Sequence, residues 1–380
     1  MDLKMKKIMI VFGTRPEAIK MAPVVAALKS HLNFAVEVCV TAQHREMLDQ
    51  VLSLFQIVPD YDLNLMSAGQ TLPAIFSKVL LGMTEVVERA KPDLVLVHGD
   101  TTTTAATAMA CFYQRVSVGH VEAGLRTGNV LSPWPEEYNR RLAGATTRLH
   151  FAPTLQARLN LLAEKTPADW IEVTGNTVID ALLHVSSRIN DDYEIQNNLR
   201  KKFGFLDVSK HMLLVTGHRR ENFGEAMHSI CEGLLSLSKR NDLEIVYPVH
   251  RNPNIKGPVE ARLTGQPNIH LLPPQDYLSF VYLMKQSALL LTDSGGIQEE
   301  APALGKPVLV MRETTERPEA LEAGTARLVG TNALTIQHEV STLLDDHEAY
   351  RDMATSKNPY GDGTAALQIR SAIERYFATA

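Results

Sequence analysis

Short runs of apolar, mostly β-branched residues recur along the chain, each followed by a turn and then by an amphipathic segment. Most runs are solidly apolar and do not alternate with polar residues, which is typical of parallel strands covered on both faces. This repetition of strand and helix predicts an α/β fold with doubly wound parallel sheets. The runs lie at 8–13, 35–41, 93–99, 116–121, 149–153, 212–217, 243–250, 269–272, 288–293 and 307–311.

The strand–helix pattern occurs twice in a chain of 380 residues, and single cores rarely grow beyond about 250–300 residues. We therefore predict two Rossmann-like domains, at 1–175 and 176–362, and a terminal amphipathic helix within 363–380. The polar stretch 186–202 is predicted to form an early helix and loop of the second domain. Two such sheets are expected to face each other across a cleft, where ligands bind.

Composition excludes several classes of function. The net charge is −5 and no basic block is present, so nucleic acid is not an expected partner. No apolar run reaches the ~18 residues of a spanning helix, so neither a membrane partner nor a signal peptide is expected. The odd, unspaced cysteines Cys39, Cys111 and Cys231 are typical of buried reduced thiols in a cytoplasmic protein.

Three carboxylates stand beside turn or helix-start signals. Asp100 and Glu122 each follow a predicted strand, and Glu136 stands on a proline-flanked loop after the second of these strands. Ligands of open α/β sheets bind outside the carboxyl ends of the strands. If the fold gathers the three acids there, one can act as a base and another as an acid.

Signals for phosphate binding follow other predicted strands. In 292–307, Ser294, Gly295 and Gly296 form a tight turn before a helix, where backbone N–H groups favour phosphate oxygens. Glu300, one turn into that helix, is a candidate acceptor for ribose hydroxyl groups. An ordinary strand–helix turn with a simple N-cap explains the same residues equally well.

Basic residues stand at three similar turns. Arg15 and Lys20 belong to a strand–turn–helix with a proline at the helix start, His218 follows a glycine at a strand end, and Arg317 precedes a proline. Each can contact a diphosphate, and each can equally be a solvated or structural residue. A metal site at His98 and Asp100 is not supported, because no second ligand set has metal spacing.

Taken together, donors in both halves and carboxylates in the first suggest that a nucleoside diphosphate departs from an anomeric carbon. Positioned donors stabilise the negative charge that develops on the nucleotide. Carboxylates stabilise the positive character of the carbon, as in glycoside chemistry.

Ten motifs, in order, make the chain resemble the non-hydrolysing UDP-N-acetylglucosamine 2-epimerases of bacterial surface-polysaccharide synthesis. The resemblance runs from about residue 6 to about residue 376. The motifs are FGTRPEAIKMAP, TAQHREMLD, LVHGDTTTT, GHVEAGLRTG, SPWPEEYNRR, GNTVIDAL, GHRREN, TDSGGIQEEAP, TTERPEA and NPYGDG.

The resemblance implies a glycosyltransferase-B type fold with UDP in the cleft and the terminal helix packed back on the first domain. It implies the interconversion of UDP-GlcNAc and UDP-ManNAc through loss of UDP to 2-acetamidoglucal and its re-addition. No cofactor and no metal are implied. The expected partners are UDP-GlcNAc, UDP-ManNAc, UDP and a second copy of the chain in a homodimer.

Residue by residue, Asp100, Glu122 and Glu136 match the catalytic acids of the family, and His218 matches its phosphate-contacting histidine. Gln275 and Phe280 match residues that reach the uridine. The full set that matches substrate or UDP contacts is Arg15, Lys20, Asp100, Glu122, His218, Gln275, Phe280, Ser294, Gly295, Gly296, Glu300 and Arg317.

Some members of the family bind a second UDP-GlcNAc as an activator. Gln43, Arg219 and His250 stand in motifs that resemble that regulatory pocket. Glu46 and Gly69, however, stand at positions where those members carry Gln and Arg. Loss of an arginine that grips phosphate weakens such a site. We therefore expect weak or absent activation.

Three other functions fit the same scaffold. A glycosyltransferase needs a surface for an acceptor, a hydrolysing epimerase releases free ManNAc and UDP, and a sensor only binds the nucleotide sugar. Binding a diphosphate gains nothing from three nearby acids, which argues against the sensor.

Overall fold

The computed structural model describes residues 5–42, 45–65 and 69–379, apart from the side chain of Glu46. The chain forms two compact units, one of residues 1–181 with 360–380 and the other of residues 182–359. The sequence analysis placed the borders at 175 and 362. The first border between the compact units lies inside the helix Thr177–Asp191.

The first unit is built on a seven-stranded, wholly parallel sheet with the order β3-β2-β1-β4-β5-β6-β7. Its strands are β1 (Lys6–Phe12), β2 (Phe34–Val40), β3 (Tyr61–Asp62), β4 (Leu94–His98), β5 (Ser117–Val121), β6 (Leu149–Ala152) and β7 (Ile171–Val173). Its helices are α1 (Arg15–Lys29), α2 (Arg45–Leu54), α3 (Leu72–Ala90), α4 (Thr102–Tyr113), α5 (Glu136–Thr146), α6 (Leu155–Ala163) and the start of α7 (Thr177–Asp191).

The second unit repeats the plan on a six-stranded parallel sheet with the order β10-β9-β8-β11-β12-β13. Its strands are β8 (His211–Thr216), β9 (Leu243–Pro248), β10 (Ile269–Leu272), β11 (Leu289–Thr292), β12 (Val308–Val310) and β13 (Ala326–Leu328). Its helices are α8 (Tyr193–Lys202), α9 (Glu225–Leu237), α10 (Pro253–Leu263), α11 (Tyr277–Gln286), α12 (Gly295–Glu300), α13 (Pro318–Glu322), α14 (Ala333–Asp345) and α15 (His347–Thr355).

Both sheets reverse their strand order in the middle, between β1 and β4 in the first and between β8 and β11 in the second. At such a switch point the loops at the carboxyl ends separate and leave a crevice for ligands. The predicted α/β class with two Rossmann-like, doubly wound sheets is confirmed.

The ten predicted strands are all present, and the three strands that were missed are only two or three residues long. The loop predicted within 186–202 is wrong, because this stretch is the end of α7 followed by α8. Asp192 caps α8 by accepting hydrogen bonds from the N–H groups of Glu194 and Ile195 over 3.0 and 3.1 Å. Because Asp192 caps α8, this helix begins directly after α7, and no loop separates the two.

The last helix, α16 (Ala365–Thr379), belongs to the first unit and contacts α1. Asp180 of α7 accepts hydrogen bonds from the N–H groups of Ala365 and Ala366 over 3.3 and 2.8 Å. At the other end of the helix, the hydroxyl groups of Tyr376 and Ser117 lie 2.9 Å apart. The terminal helix is thus held at both ends.

Apolar side chains fill the space between each sheet and its helices. In the second unit the core includes Leu213 and Val215 of β8, Leu291 of β11 and Leu309 of β12. Cys39, Cys111 and Cys231 are buried free thiols. None of the helices in the described part of the chain combines the length and apolar character needed to cross a bilayer.

Candidate functional site

Asp100 follows β4, and Arg140 of α5 holds its carboxylate. The Nη2 and Nε atoms of Arg140 donate to Oδ2 over 2.6 and 3.0 Å, and the side-chain amide of Asn139 donates to the backbone oxygen of Asp100 over 2.9 Å. An arginine that donates twice to a carboxylate fixes its position as well as its charge. Helix α5 therefore positions the acid at the end of β4.

Glu122 follows β5 with a φ angle of 62°, in the left-handed region that residues with a Cβ rarely adopt. Its side chain is only 9% exposed and forms an ion pair with Lys20 of α1. The side-chain amide of Asn176 also donates to its Oε2 over 3.0 Å. These contacts hold a buried carboxylate on a strained turn, as functional sites often do.

His98, the last residue of β4, lies beneath these charges. Its Nε2 is 3.7 Å from Oε2 of Glu122. Burial lowers the pKa of His98 to about 4; Lys20 lowers it further, whereas the negative charges of Glu122 and Asp100 oppose the shift. Among the described residues, no cluster of three or more histidine, cysteine or acidic side chains is arranged to hold a metal ion.

Glu136 is the first residue of α5, so the prediction of a loop at this position is wrong. An acidic residue in the first turn is favourable there because it faces the positive end of the helix dipole. Within the described part of the chain, the Glu136 carboxylate makes no hydrogen bond or ion pair. Arg140 lies about one turn after Glu136 on α5, and it binds Asp100. Helix α5 therefore carries both Glu136 and the residue that binds Asp100.

Arg15 is the first residue of α1, and the start of this helix is built around buried Glu17. The carboxylate accepts hydrogen bonds from the N–H groups of Gly13 and Thr14 over 3.0 and 2.8 Å, and from the hydroxyl of Thr101 over 2.6 Å. Burial raises the pKa of Glu17, although these hydrogen bonds oppose the shift. Since Thr101 caps α4, Glu17 joins the starts of two helices at the switch point.

In the second unit, Asp293 organises the loop after β8 that carries His218. Its fully buried carboxylate accepts hydrogen bonds from the backbone N–H groups of His218 and Arg219 over 2.9 Å each, and from the side chain of Asn222 over 3.1 Å. Burial raises the pKa of Asp293, but the contact with His218 and the N–H donors outweigh burial and leave it below its usual range. The loop is thus tied to the end of β11.

A helix start is present here, but the tight turn predicted at 294–296 is wrong, because Ser294 is the N-cap of α12 and Gly295 and Gly296 are its first residues. The hydroxyl of Tyr277 donates to Oε1 of Glu300 over 2.8 Å. Glu300, the predicted acceptor for ribose hydroxyl groups, is buried, and Tyr277 of α11 is one of its hydrogen-bond partners. The end of α12 and the start of α11 therefore lie together.

Arg317 precedes α13 and forms an ion pair with Glu299 of α12. A Cβ atom added to Gly295 would lie 3.9 Å from the guanidinium group of Arg317. The structure consequently brings Arg317 to the glycines at the start of α12.

Gln275 and Phe280 flank the start of α11. The side-chain amide of Gln275 donates to the backbone oxygen of Pro273 over 2.6 Å, and Phe280 is half-buried in the helix. Phe280 lies on α11, which also carries Tyr277, the partner of Glu300, and Gln275 lies two residues before Tyr277.

Two of the predicted regulatory residues lie beside His218. The backbone of Arg219 is bound by Asp293, and the ring of His250 is centred 6.0 Å from that of His218. Burial lowers the pKa of His250, and the neighbouring His218 lowers it further.

The other regulatory positions belong to the first unit. Gln43 and the side chain of Glu46 lie outside the described residues. Gly69 lies in a turn with a φ angle of 75°, and a Cβ atom placed there would meet no atom within 4 Å.

The chain matches a family model described as UDP-N-acetylglucosamine 2-epimerase over residues 26–374. It belongs to this family. The curated UDP-N-acetylglucosamine 2-epimerase of Salmonella typhimurium is 57% identical over 371 residues, which cover 97% of this chain and 99% of the relative. That of Escherichia coli K12 is 56% identical over 369 residues, covering 97% and 98%.

Solved structures of the same family share the fold along the whole chain. The UDP-GlcNAc 2-epimerase of Neisseria meningitidis, crystallised with UDP-GlcNAc, has a TM-score of 0.90 at 51% identity and covers 97% of this chain and 100% of its own. A Staphylococcus aureus structure with UDP has a TM-score of 0.87 at 47% identity, covering 99% and 98%.

The sequence analysis of this epimerase missed four residues that position parts of the site: Glu17, Arg140, Asn176 and Asp293. All four stand inside the motifs that carried the resemblance. Thr14 and Glu17 form a capping box, a signal that is readable from spacing alone. The other three bind residues far away in sequence, so no local pattern marks them.

Proposed function

We propose that this protein interconverts UDP-GlcNAc and UDP-ManNAc by reversible epimerisation at C2. The observation that carries the proposal is the setting of Glu122, a nearly buried carboxylate paired with Lys20. Asp100, a second carboxylate, follows the adjacent strand β4. A carboxylate kept ionised and shielded from water is equipped to take a proton from carbon.

The first step is an elimination. A carboxylate removes the C2 proton while the bond from C1 to the phosphate oxygen breaks, and the electrons of the C2–H bond form the C1=C2 double bond of 2-acetamidoglucal. UDP leaves with the electron pair of the broken bond. No ring carbonyl acidifies the C2 proton, so the departure of UDP drives its loss.

The return step reverses this sequence on the other face. An acid delivers a proton to the opposite face of C2, and a phosphate oxygen of UDP attacks C1. No atom ends oxidised or reduced, so the reaction balances without a redox cofactor.

We assign proton transfer at C2 to the acids of the first unit, Asp100, Glu122 and Glu136. Arg140 binds Asp100, and Lys20 and Asn176 bind Glu122. These cationic and amide donors fix the positions of both carboxylates, and each acid must be ionised in order to act as a base. Glu136, at the start of α5, is the third member.

We assign the binding of UDP to donors that lie mainly in the second unit. His218 and the start of α12 bind the diphosphate and stabilise the charge that develops as it leaves. Glu300 binds the ribose, and Gln275 and Phe280 bind the uracil. The complete set proposed for phosphate contacts is Arg15, Lys20, His218, Ser294, Gly295, Gly296 and Arg317.

The test is proton NMR of the purified protein with UDP-GlcNAc in deuterium oxide. Epimerisation through 2-acetamidoglucal places deuterium at C2 of both nucleotide sugars as they reach equilibrium. Retention of hydrogen at C2 during interconversion would refute the elimination.

The same experiment separates the alternatives. A hydrolysing epimerase accumulates free ManNAc and UDP, and a glycosyltransferase leaves UDP-GlcNAc unchanged until an acceptor is added. A binding protein leaves all signals unchanged apart from line broadening. Only the proposed reaction yields both nucleotide sugars from either one.

We further propose that activation by a second UDP-GlcNAc is weak or absent. Gly69 has no side chain to contact a phosphate. Initial rates should follow a hyperbola in UDP-GlcNAc, and UDP-ManNAc alone should react. A sigmoidal curve, with UDP-ManNAc inert until UDP-GlcNAc is added, would contradict this proposal.

Finally, we propose a cytoplasmic homodimer. Three buried free thiols suit a reducing compartment. Leu81 of α3 and Phe112 and Tyr113 of α4 are large apolar side chains left 59–68% exposed, on helices that contact each other. Light scattering after gel filtration should give twice the chain mass of 42.1 kDa.

A further inference from the structure

Asp293 stands where the order of the second sheet reverses, directly after β11 and opposite the loop that follows β8. Three N–H donors form hydrogen bonds to its carboxylate: the backbone N–H groups of His218 and Arg219 and the side-chain amide of Asn222. Nδ1 of His218 also lies within ion-pair distance of it. The carboxylate is 0% exposed. A buried group with this many donors is satisfied only by a residue with two acceptor oxygens.

The contact with the ring of His218 has a chemical consequence. Oδ1 of Asp293 lies 3.1 Å from Nδ1, while the imidazole as a whole remains 41% exposed. A carboxylate only accepts hydrogen bonds, so the proton must sit on Nδ1. The other nitrogen, Nε2, is then the one that can meet a ligand.

We propose that Asp293 is the positioning residue of His218: it accepts the Nδ1 proton, presents Nε2 to the diphosphate of UDP and stabilises the imidazolium form as UDP departs. The inference rests on the proposed function, because it takes the UDP diphosphate as the ligand of His218. Asp293 does not itself touch the nucleotide. It acts through the ring and through the loop Gly217–Asn222.

Neighbouring groups do not compete for this role. His250 lies across from His218, but its Nδ1 accepts a hydrogen bond from the backbone N–H of Asn252 over 3.2 Å. Burial lowers the pKa of His250, and the neighbouring His218 lowers it further. Arg219 follows His218 in the chain and binds Asp293 through its backbone. Of the groups described around the ring, Asp293 is therefore the one that carries negative charge.

The loop also fits closely against β9. A Cβ atom added to Gly217 would lie 2.9 Å from the hydroxyl oxygen of buried Tyr247. The residue before His218 must consequently be small, which keeps the histidine within reach of Asp293. Asparagine at 293 would turn an NH₂ group towards one of the converging donors, so the isosteric change removes both the charge and one acceptor.

The decisive variant is Asp293→Asn, with UDP affinity measured by titration calorimetry at pH 6 and pH 8.5. At pH 6 the higher proton concentration favours the charged imidazole without the carboxylate, so the variant should show only the smaller loss caused by the missing acceptor. At pH 8.5 we expect about tenfold weaker binding than wild type, the effect of losing a neighbouring opposite charge. The ionisation of UDP itself cancels in the ratio of the two proteins.

Asn222→Ala is the matched control, because it removes one donor to Asp293 but keeps its charge. It should weaken UDP binding by the same factor at both pH values. An equal loss at both pH values for Asp293→Asn would overturn the inference, since a purely structural role produces that result.

A second measurement uses the wild type alone and so does not depend on the variant folding. Long-range ¹H–¹⁵N spectra of histidine-labelled protein, assigned with His218→Asn, report which ring nitrogen carries the proton. We expect a protonated Nδ1, and a bare Nδ1 would overturn the inference. If the wild type neither binds UDP nor epimerises UDP-GlcNAc, the proposed function fails instead, whichever tautomer the ring adopts.

Discussion

Three buried histidines on neighbouring strands of the first unit should make that unit sensitive to acid. His98, His120 and His150 lie on β4, β5 and β6 and are at most 4% exposed. Burial lowers their pKa values to about 4, about 3 and about 4. In an unfolded chain the same side chains titrate near about 6.5.

The sign and size of the effect follow from this difference. Below about pH 6.5 these histidines bind protons in the unfolded chain but stay unprotonated in the folded chain. The free energy of unfolding therefore falls as the pH drops towards the folded pKa of about 4. Between pH 8 and pH 5 each such histidine costs about 2 kcal/mol of unfolding free energy. Three cost about 6 kcal/mol, comparable with the whole stability of a typical domain, about 5–15 kcal/mol.

The assay is urea unfolding at pH 8 and pH 5, followed by tryptophan fluorescence. Both tryptophans, Trp134 and Trp170, belong to the first unit, so the signal reports on this unit. The variant His120→Gln keeps an N–H donor for the backbone oxygen of Gly99, which Nε2 of His120 contacts over 2.7 Å, but it cannot titrate. It should lose about 2 kcal/mol less than wild type on acidification.

The control is His338→Gln, because His338 is exposed on α14 of the second unit. Its loss of stability between pH 8 and pH 5 should equal that of wild type. The reasoning would be refuted if His120→Gln lost as much stability as wild type over the same interval, since burial of the neutral ring would then not be the cause.

Three further changes test other parts of the structure. Asp100→Asn should lower the epimerisation rate at least ~100-fold while UDP still binds, measured by NMR and calorimetry, because the amide cannot take a proton. Asp180→Ala should cost about 1–2 kcal/mol and speed amide exchange in Ala365–Thr379, because it removes the acceptor at the start of α16. Gly119→Ala should cost about 1–3 kcal/mol in urea unfolding, because the new Cβ would lie 2.6 Å from Leu96.

Each of these predictions has its own contrary result. Near-normal turnover of Asp100→Asn would remove this acid from the mechanism. Unchanged exchange in α16 would show that Asp180 does not hold the helix, and Asp346→Ala, which uncaps α15, should leave α16 unaffected. Wild-type stability of Gly119→Ala would show that the side chain of Leu96 can move aside without cost.

Much of the fold was readable from the sequence. Solidly apolar runs followed by amphipathic segments predicted both parallel sheets, because hydrophobic period is a local property of the chain. The positions of Asp100 and Glu122 just beyond strand ends were readable for the same reason, and motif order was enough to indicate the family. Very short strands and the helix start at Glu136 were missed, because two or three residues carry too little periodicity and proline-rich turns resemble loops.

The partners of the site residues were decided only by the tertiary structure. Arg140 binds Asp100 across 40 positions, Asn176 binds Glu122 across 54, and Asp293 binds His218 across 75. These pairs form because strand order brings distant loops to the same edge of a sheet, as β8 lies beside β11. Local pattern specifies each strand but not its neighbours, so it places the acids and the histidine without showing what holds them.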